Sequence, residues 1–467
     1  MHSNIVLDTD SYKASHYRQY PPGTEYVYSY VESRGGAWDR TLFLGLQMFL
    51  KEYLCHPVTT ADVDEAEAVW LAHGLVFNRA GWKHIVDAHG GFLPIEIKAV
   101  EEGTILPTRN VLCTIVNTDP ACYWLTSYLE TALLRAIWYP TTVATNSYMC
   151  KRVIRSWLDQ TCDDPDKEIP FKLHDFGARG VSSRESAAIG GLAHLVNFMG
   201  SDTMSGILAA RRYYGEAMAG FSIPAAEHST ITAWGREGEA DAYENMLRQL
   251  AGPGKLVAVV SDSYDIYHAV DAIWGGDRLR RQVLDSGATL VIRPDSGNPP
   301  EVVLRCVELL EGRFGSSVNA KGYKVLNPAI RLIQGDGINM RSIDAILAAL
   351  AGAGWSAENV AFGMGGGLLQ QLDRDTLKFA MKCSAIRIGG AWRDVYKDPV
   401  TDAGKASKRG RLALITEDGA WATVPREGND WRDMLRVVYR DGKLMQETCL
   451  KDVRERASRP MIGDATP

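Results

Sequence analysis

Hydrophobic and polar positions follow two different patterns along this chain, and the change falls near residue 166. Residues 24–32 alternate tyrosine and valine with smaller or polar residues, residues 95–99 alternate strictly, and residues 111–116 are mostly apolar, so three strands are expected. Residues 42–53 and 61–73 have helical spacing, the second with acidic side chains in its first turn. Residues 4–8 read as a short strand running into the polar cluster Asp8-Thr-Asp-Ser-Tyr-Lys. Residues 120–159 read as a largely apolar helical stretch that Pro140 divides in two.

A charged, proline-containing segment, Asp163-Asp-Pro-Asp-Lys-Glu, marks an expected domain boundary. Beyond it short apolar strands alternate with helical stretches, and nearly every strand ends in a polar or glycine-rich signature. These ends are Leu173-His-Asp-Phe-Gly-Ala-Arg-Gly, Met199-Gly-Ser-Asp-Thr, Pro224-Ala-Ala-Glu-His-Ser, Val260-Ser-Asp-Ser-Tyr-Asp, Ile292-Arg-Pro-Asp-Ser-Gly, Ile333-Gln-Gly-Asp-Gly and Phe362-Gly-Met-Gly-Gly-Gly. A further strand at 380–388 would complete eight. An open doubly wound sheet shares this alternation, but functional ends spread over almost every unit favour a (β/α) barrel with its site at the strand C-termini. The expectation is an α/β protein. An irregular barrel spans 166–388, and residues 1–165 with 389–467 build a companion mixed α+β domain.

Length supports two domains, since 467 residues exceed one ordinary core. A net charge of −6 gives no basic footprint for nucleic acid or a membrane surface, so an anionic ligand must be met by local clusters. The eight cysteines are scattered without a Cys-x-x-Cys pair and read as reduced thiols. Residues 1–10 are too short and acidic for a signal peptide and no apolar run reaches membrane-spanning length, which points to the cytoplasm.

His228 stands where a buried segment turns into a helix start, with Ser229 and Thr230 as capping types and an amphipathic run at 231–250. Such an imidazole can act as a base, a ligand or a phosphoryl acceptor, or merely cap its helix. Asp202 or one of the carboxylates of Ser261-Asp-Ser-Tyr-Asp, on neighbouring strand ends, could orient it, and Asp265, one turn into the next helix, is the preferred candidate. Arg293 suits bidentate phosphate binding, while Asp295 and Asp336 suit ribose hydroxyls or an approach to a metal. The loop Gly363-Met-Gly-Gly-Gly lets backbone N–H groups approach a phosphate, without matching the Walker or dinucleotide spacing. Phe176 offers a stacking platform beside Arg179, and Asp202 a carboxylate on a neighbouring strand end. Each could singly be a core, turn or salt-bridge residue; jointly they suggest a phosphorylated sugar.

Taken together and in order, these signatures, with Asp8-Thr-Asp-Ser-Tyr-Lys and Asn117-Thr-Asp-Pro-Ala-Cys-Tyr-Trp-Leu-Thr, resemble the nicotinamide phosphoribosyltransferases of the type II phosphoribosyltransferase superfamily over nearly the whole chain. The resemblance implies transfer of phosphoribose from phosphoribosyl pyrophosphate to nicotinamide in NAD salvage. It implies stimulation by ATP through a phosphohistidine at His228, with Asp265 orienting that residue. Magnesium would be carried mainly by pyrophosphate, with Asp295 nearby. A homodimer with shared sites is also implied. Phe176 and a partner's Tyr12 would then sandwich the base, with Asp202 and Arg179 beside it. Arg293, Gly335, Gly365 and Gly366 would hold the ribose phosphate, and Asp295 and Asp336 would serve the ribose hydroxyls and the metal region. Arg34, Arg374, Lys382 and Lys397 of the opposite subunit would face pyrophosphate or ATP phosphates. Departures are a shorter loop after Arg34, Met364 in the glycine loop, and Ala380 where a serine is common. The competing readings are a nicotinate phosphoribosyltransferase and a non-catalytic phosphosugar-binding regulator. Asp202 weighs against the first, because it would repel a substrate carboxylate.

Overall fold

A computed structural model describes residues 4–401 and 406–462 and divides into two units: Met1–Thr145, Arg212–Glu216 and Asp373–Pro467 in one, Asn146–Arg211 and Ala217–Leu372 in the other. The first unit is built on a seven-stranded antiparallel sheet in the order Ala391–Asp394, Phe379–Ile388, Thr24–Ser33, Val111–Asn117, Ile95–Ala99, Arg436–Arg440, Lys443–Leu444. Thr24–Ser33 is buried along most of its length because it pairs on both sides, with Phe379–Ile388 and with Val111–Asn117. Helices Thr60–Ala72 and Arg79–His89 bring Trp70, Trp82 and Ile85 into the core of this unit.

The second unit is the barrel. Six parallel strands run in the order Gly200–Ser201, Leu173–Asp175, Val360–Met364, Ile330–Gln334, Thr289–Arg293, Leu256–Val260. Single parallel bridges from Phe221 to Gly200 and from Ala225 to Ala258 join the two outer strands through the segment 221–225. Strands such as Leu256–Val260 and Thr289–Arg293 are nearly continuous Val, Leu and Ile, as burial on both faces requires.

Five expectations change. The segment at 380–388 is no barrel strand: Phe379–Ile388 pairs antiparallel with Thr24–Ser33 over nine residue pairs, so it belongs to the first unit. The division between units consequently falls at 145/146 and 372/373 in place of 165/166 and 388/389. The charged segment at 163–168 is a helix start, where Asp164 accepts the Lys167 N–H and Pro165 occupies the first turn. Residues Ile5–Leu7 form a 3-10 turn, because the Asn4 side chain accepts the Val6 N–H and offers the backbone a local partner. Finally, Glu130–Thr161 is one helix with Pro140 inside it. Gly45, at φ +104°, lets the chain pass against the proline ring, where a Cβ would come within 2.2 Å of Pro140 Cγ.

Candidate active site

The C-terminal ends of the barrel strands surround a cavity of about 860 Å³. Phe176, Arg179 and Asp202 line one part of it, and Arg293, Asp295, Gly335, Asp336, Gly365 and Gly366 another. Nine residues expected from the sequence to serve base and phosphoribose are therefore brought together.

Phe176 directly follows the strand Leu173–Asp175, and its N–H donates to the Met364 carbonyl at 3.0 Å. Its ring lies against Gly363 and Gly335, where an added Cβ would meet ring carbons at 1.9 Å and 3.4 Å. Ala258, Val291 and Ile333 form the apolar cluster behind it. Asp175, beneath, is fully buried; one oxygen accepts the Gly177 N–H at 2.7 Å, and burial pushes its carboxyl up to about 6. Asp202 is exposed and accepts the Ser222 hydroxyl. Arg179 is exposed on the short turn Ala178–Gly180.

Arg293 closes the strand Thr289–Arg293 with its side chain 16% exposed. Its Nη2 donates to Asp295 at 3.3 Å, while its Nε is buried without a hydrogen-bond partner. A guanidinium so placed is only partly satisfied by protein and is suited to an anion. Burial raises the Asp295 carboxyl, opposed by Arg293 and reinforced by Asp262 and Asp336. In the glycine loop, a Cβ on Gly367 would come within 2.8 Å of the Ile338 carbonyl, whereas one on Gly366 would meet nothing within 4 Å. Packing explains Gly367. Gly366 leaves open space at the start of Gly366–Leu369, as close approach of a ligand requires.

The partner of His228 is Asp262, a correction of the expected Asp265. His228 Nε2 lies 3.0 Å from Asp262 Oδ1, and Ser296 donates to the other oxygen of that carboxylate at 2.6 Å. Asp265 instead accepts the N–H groups of Tyr267 and His268 as an N-cap. The physical reason is position: Asp262 stands two residues beyond the strand Leu256–Val260, at the barrel mouth, while Asp265 already belongs to the next helix start. His228 itself is the first residue of a five-residue helix, His228–Thr232, with Glu227 at the N-cap position but making no side-chain cap bond, and the amphipathic run resumes only at Glu239–Leu250. Replacing Asp262 by Asn should therefore disturb the imidazole, whereas Asp265→Ala should cost only the cap, about 0.5–2 kcal/mol of stability.

The cationic positions belong to the antiparallel unit. Arg34, Arg374 and Lys13 all depress the ammonium of Lys382, after burial, which is the larger cause, with Glu130 opposing. Lys13 pairs with Glu130 at 2.6 Å, and Arg34 with Glu32 at 3.2 Å while its Nη2 stays buried without a partner. Lys13 is an addition to the expected set. Lys397 is exposed, and its main chain pairs with Ser407 at 2.9 Å. Tyr12, on the 3-10 helix Ser11–Arg18, is 58% exposed.

A profile of the nicotinate phosphoribosyltransferase (NAPRTase) family matches residues 171–443. The chain belongs to this family. A profile described as the nicotinamide phosphoribosyltransferase N-terminal domain also matches residues 4–97. The chain is 58% identical over 461 residues to the nicotinamide phosphoribosyltransferase of Xanthomonas campestris, covering 97% of this chain and 98% of that one. It is 31% identical to the Acinetobacter baylyi protein of the same name, covering 98% of both. Among solved structures, the NAPRTase-family fold is shared with nicotinate-nucleotide pyrophosphorylase from Pyrococcus furiosus, at TM-score 0.61 and 15% identity over 97% of this chain and 94% of that one. The human nicotinic acid phosphoribosyltransferase follows at TM-score 0.54 and 16% identity over 97% and 93%. This NAPRTase-family member is an enzyme of the phosphoribosyltransferase class, which serves NAD salvage. No helix among the described residues is long and apolar enough to cross a membrane.

Proposed function

We propose that the enzyme joins the phosphoribosyl group of phosphoribosyl pyrophosphate to the ring nitrogen of nicotinamide, releasing nicotinamide mononucleotide and pyrophosphate. The observation that carries this reading is one cavity that holds an aromatic platform, an amide-accepting carboxylate, a half-satisfied guanidinium and an open glycine loop. Phe176 holds the base flat, and Asp202 accepts from its carboxamide N–H. Arg293 and the Gly365–Gly366 backbone hold the 5′-phosphate, while Asp295 and Asp336 take the ribose hydroxyls. The protein aligns the nucleophilic nitrogen with the anomeric carbon and stabilises charge as pyrophosphate leaves. Asp295 and Asp336 are also carboxylates that suit magnesium travelling with pyrophosphate, and the metal would neutralise that leaving group.

ATP fits the same reading. If Nε2–H of His228 donates to Asp262, Nδ1 keeps a lone pair able to take the γ-phosphoryl group as ADP leaves. A phosphate there adds negative charge near Asp295 and the sugar. His228→Ala and Asp262→Asn should abolish ATP stimulation while leaving ATP-independent transfer measurable, and Asp265→Ala should keep the stimulation. Rates with and without ATP in the three variants decide it; full stimulation in His228→Ala removes that residue from the role.

Phe176 is the only aromatic residue among those lining the cavity. The second face of the base is assigned to Tyr12 of the partner subunit in a two-fold dimer, which also brings the basic cluster of Arg34, Arg374 and Lys382, joined by Lys397, to the phosphates. The phosphorylated substrates and the eight free cysteines fit the cytoplasm.

Nicotinate is the competing base, and Asp202 selects against it by like charge. Asp202→Asn keeps an acceptor for Ser222 and removes the charge. Its ratio of kcat/KM for nicotinamide over nicotinate should narrow about 5- to 150-fold, the equivalent of about 1–3 kcal/mol. Steady-state assays with each base check this, and an unchanged ratio would show that another group selects the base.

A further inference from the structure

In the antiparallel unit, and outside everything the transfer reaction uses, two histidines converge on one carboxylate oxygen. His84 Nε2 and His89 Nε2 each lie 2.7 Å from Asp119 Oδ2, so the two ring nitrogens can be no further apart than twice that distance. The donor atoms of His84, Asp119 and Cys122 all lie within 4.8 Å of one another. Among the described residues this is the one cluster of His, Cys and carboxylate side chains with metal-ligand spacing.

The local structure explains why Asp119 lies beside Cys122 and both histidines. Asp119 caps the 3-10 turn Pro120–Cys122 from three residues before Cys122, and its carboxylate lies within 4.8 Å of the Cys122 thiol. The Asp119 carboxylate is oriented by the Ala121 N–H, which donates to its other oxygen at 2.8 Å, while Asn117 donates to the Asp119 carbonyl at the same distance. The two histidines come from the last turns of helix Arg79–His89, which Gly90 terminates in the left-handed region. Their rings meet edge to face, with centroids 5.5 Å apart.

We propose that His84, His89, Asp119 and Cys122 form a tetrahedral Zn2+ site that ties helix Arg79–His89 to the turn after strand Val111–Asn117. Two imidazoles, a carboxylate and a thiol make a mixed nitrogen, oxygen and sulfur set, which suits Zn2+ and disfavours Mg2+ and Ca2+, whose ligands are oxygens. His84, Asp119 and Cys122 already have donor atoms within 4.8 Å of one another, and His89 joins through the shared Asp119 oxygen at 2.7 Å, so ligand distances of about 2.0–2.3 Å require the side chains to rotate inward around the ion. Charge balances: the thiol proton leaves to solvent, each ring moves its proton to Nδ1, and carboxylate plus thiolate neutralise the dication. Access is open, because the side chains of His84, His89 and Asp119 are 39%, 27% and 21% exposed, with buried Cys122 as the floor. The Ala121 N–H supplies the outer contact to the carboxylate, and Asn117 fixes the Asp119 main chain through its carbonyl.

The test uses full-length protein stripped of metal with a chelator. Co2+ should bind one per chain and give a thiolate-to-metal charge-transfer band with tetrahedral d–d intensity, and Zn2+ should displace it and raise Tm. The double variant His84→Gln/His89→Gln should lose the tetrahedral spectrum and weaken Zn2+ binding by more than the ~10–100-fold that loss of an outer contact costs. Cys122→Ala should lose the charge-transfer band alone; should that buried substitution prevent folding, the histidine variant, whose side chains are partly exposed, decides the matter. Transfer activity should be the same with and without Zn2+. Absence of a stoichiometric Co2+ spectrum in the unaltered protein, or equal Zn2+ affinity in the double variant, overturns the site.

Discussion

Chains carrying Tyr12→Ala and chains carrying Arg293→Ala will each be nearly inactive, and unfolding and reassembling them together in equal amounts will restore roughly a quarter of the original activity. Arg293 is 16% exposed, donates to Asp295, and has a buried Nε free for phosphate; truncation removes the cation and leaves Asp295 uncompensated. Tyr12 lies in the other unit, 58% exposed, and under the proposed dimer it is the second copy that presents it to the base. Random pairing makes about half of the dimers mixed, and each mixed dimer carries one site with both lesions and one with neither. Activity is measured after confirming subunit exchange. No recovery would mean that Tyr12 serves its own chain's site, and the shared-site arrangement would be abandoned.

Gly363→Ala is expected to lower kcat/KM for nicotinamide about 100-fold, through a clash on the order of 3 kcal/mol. The new Cβ would stand 1.9 Å from Phe176 Cε2 and 2.2 Å from Cδ2, and the Phe176 backbone is pinned by its bond to Met364. Turned away from that contact, the ring would enter the space proposed for the base. Gly366→Ala is the companion, because its Cβ meets no protein atom within 4 Å. That variant should fold normally and lose affinity for phosphoribosyl pyrophosphate, since the space it fills is assigned to phosphate. Substrate titrations of both variants separate the effects. If Gly363→Ala keeps its nicotinamide kcat/KM within about threefold, Phe176 is not the platform.

Much of the site was legible because a (β/α) barrel gathers strand ends: once short apolar runs alternate with helices, the polar residues that follow them must share one rim. Phe176, Asp202, Arg293, Asp295, Gly335, Asp336, Gly365, Gly366 and Gly367 stand at those strand ends and line the cavity, while their individual roles were implied by the family resemblance. What failed was decided by contacts distant in sequence or by a choice between neighbours. The apolar stretch Phe379–Ile388 has the composition of a barrel strand, and only its long antiparallel pairing with Thr24–Ser33 assigns it to the other unit. Pro140 breaks helices in isolation, yet the helix Glu130–Thr161 runs through it because Gly45 packs against the ring. Asp262 and Asp265 are three residues apart and chemically identical. The strand end aims one at His228 and the helix start consumes the other as a cap. His84 and His89 carry no sequence pattern tying them to Asp119, thirty and more residues away. Local periodicity, being set by backbone geometry, determined the elements and the rim they share; the partners of individual polar groups depended on which elements packed together, and that only the tertiary structure decided.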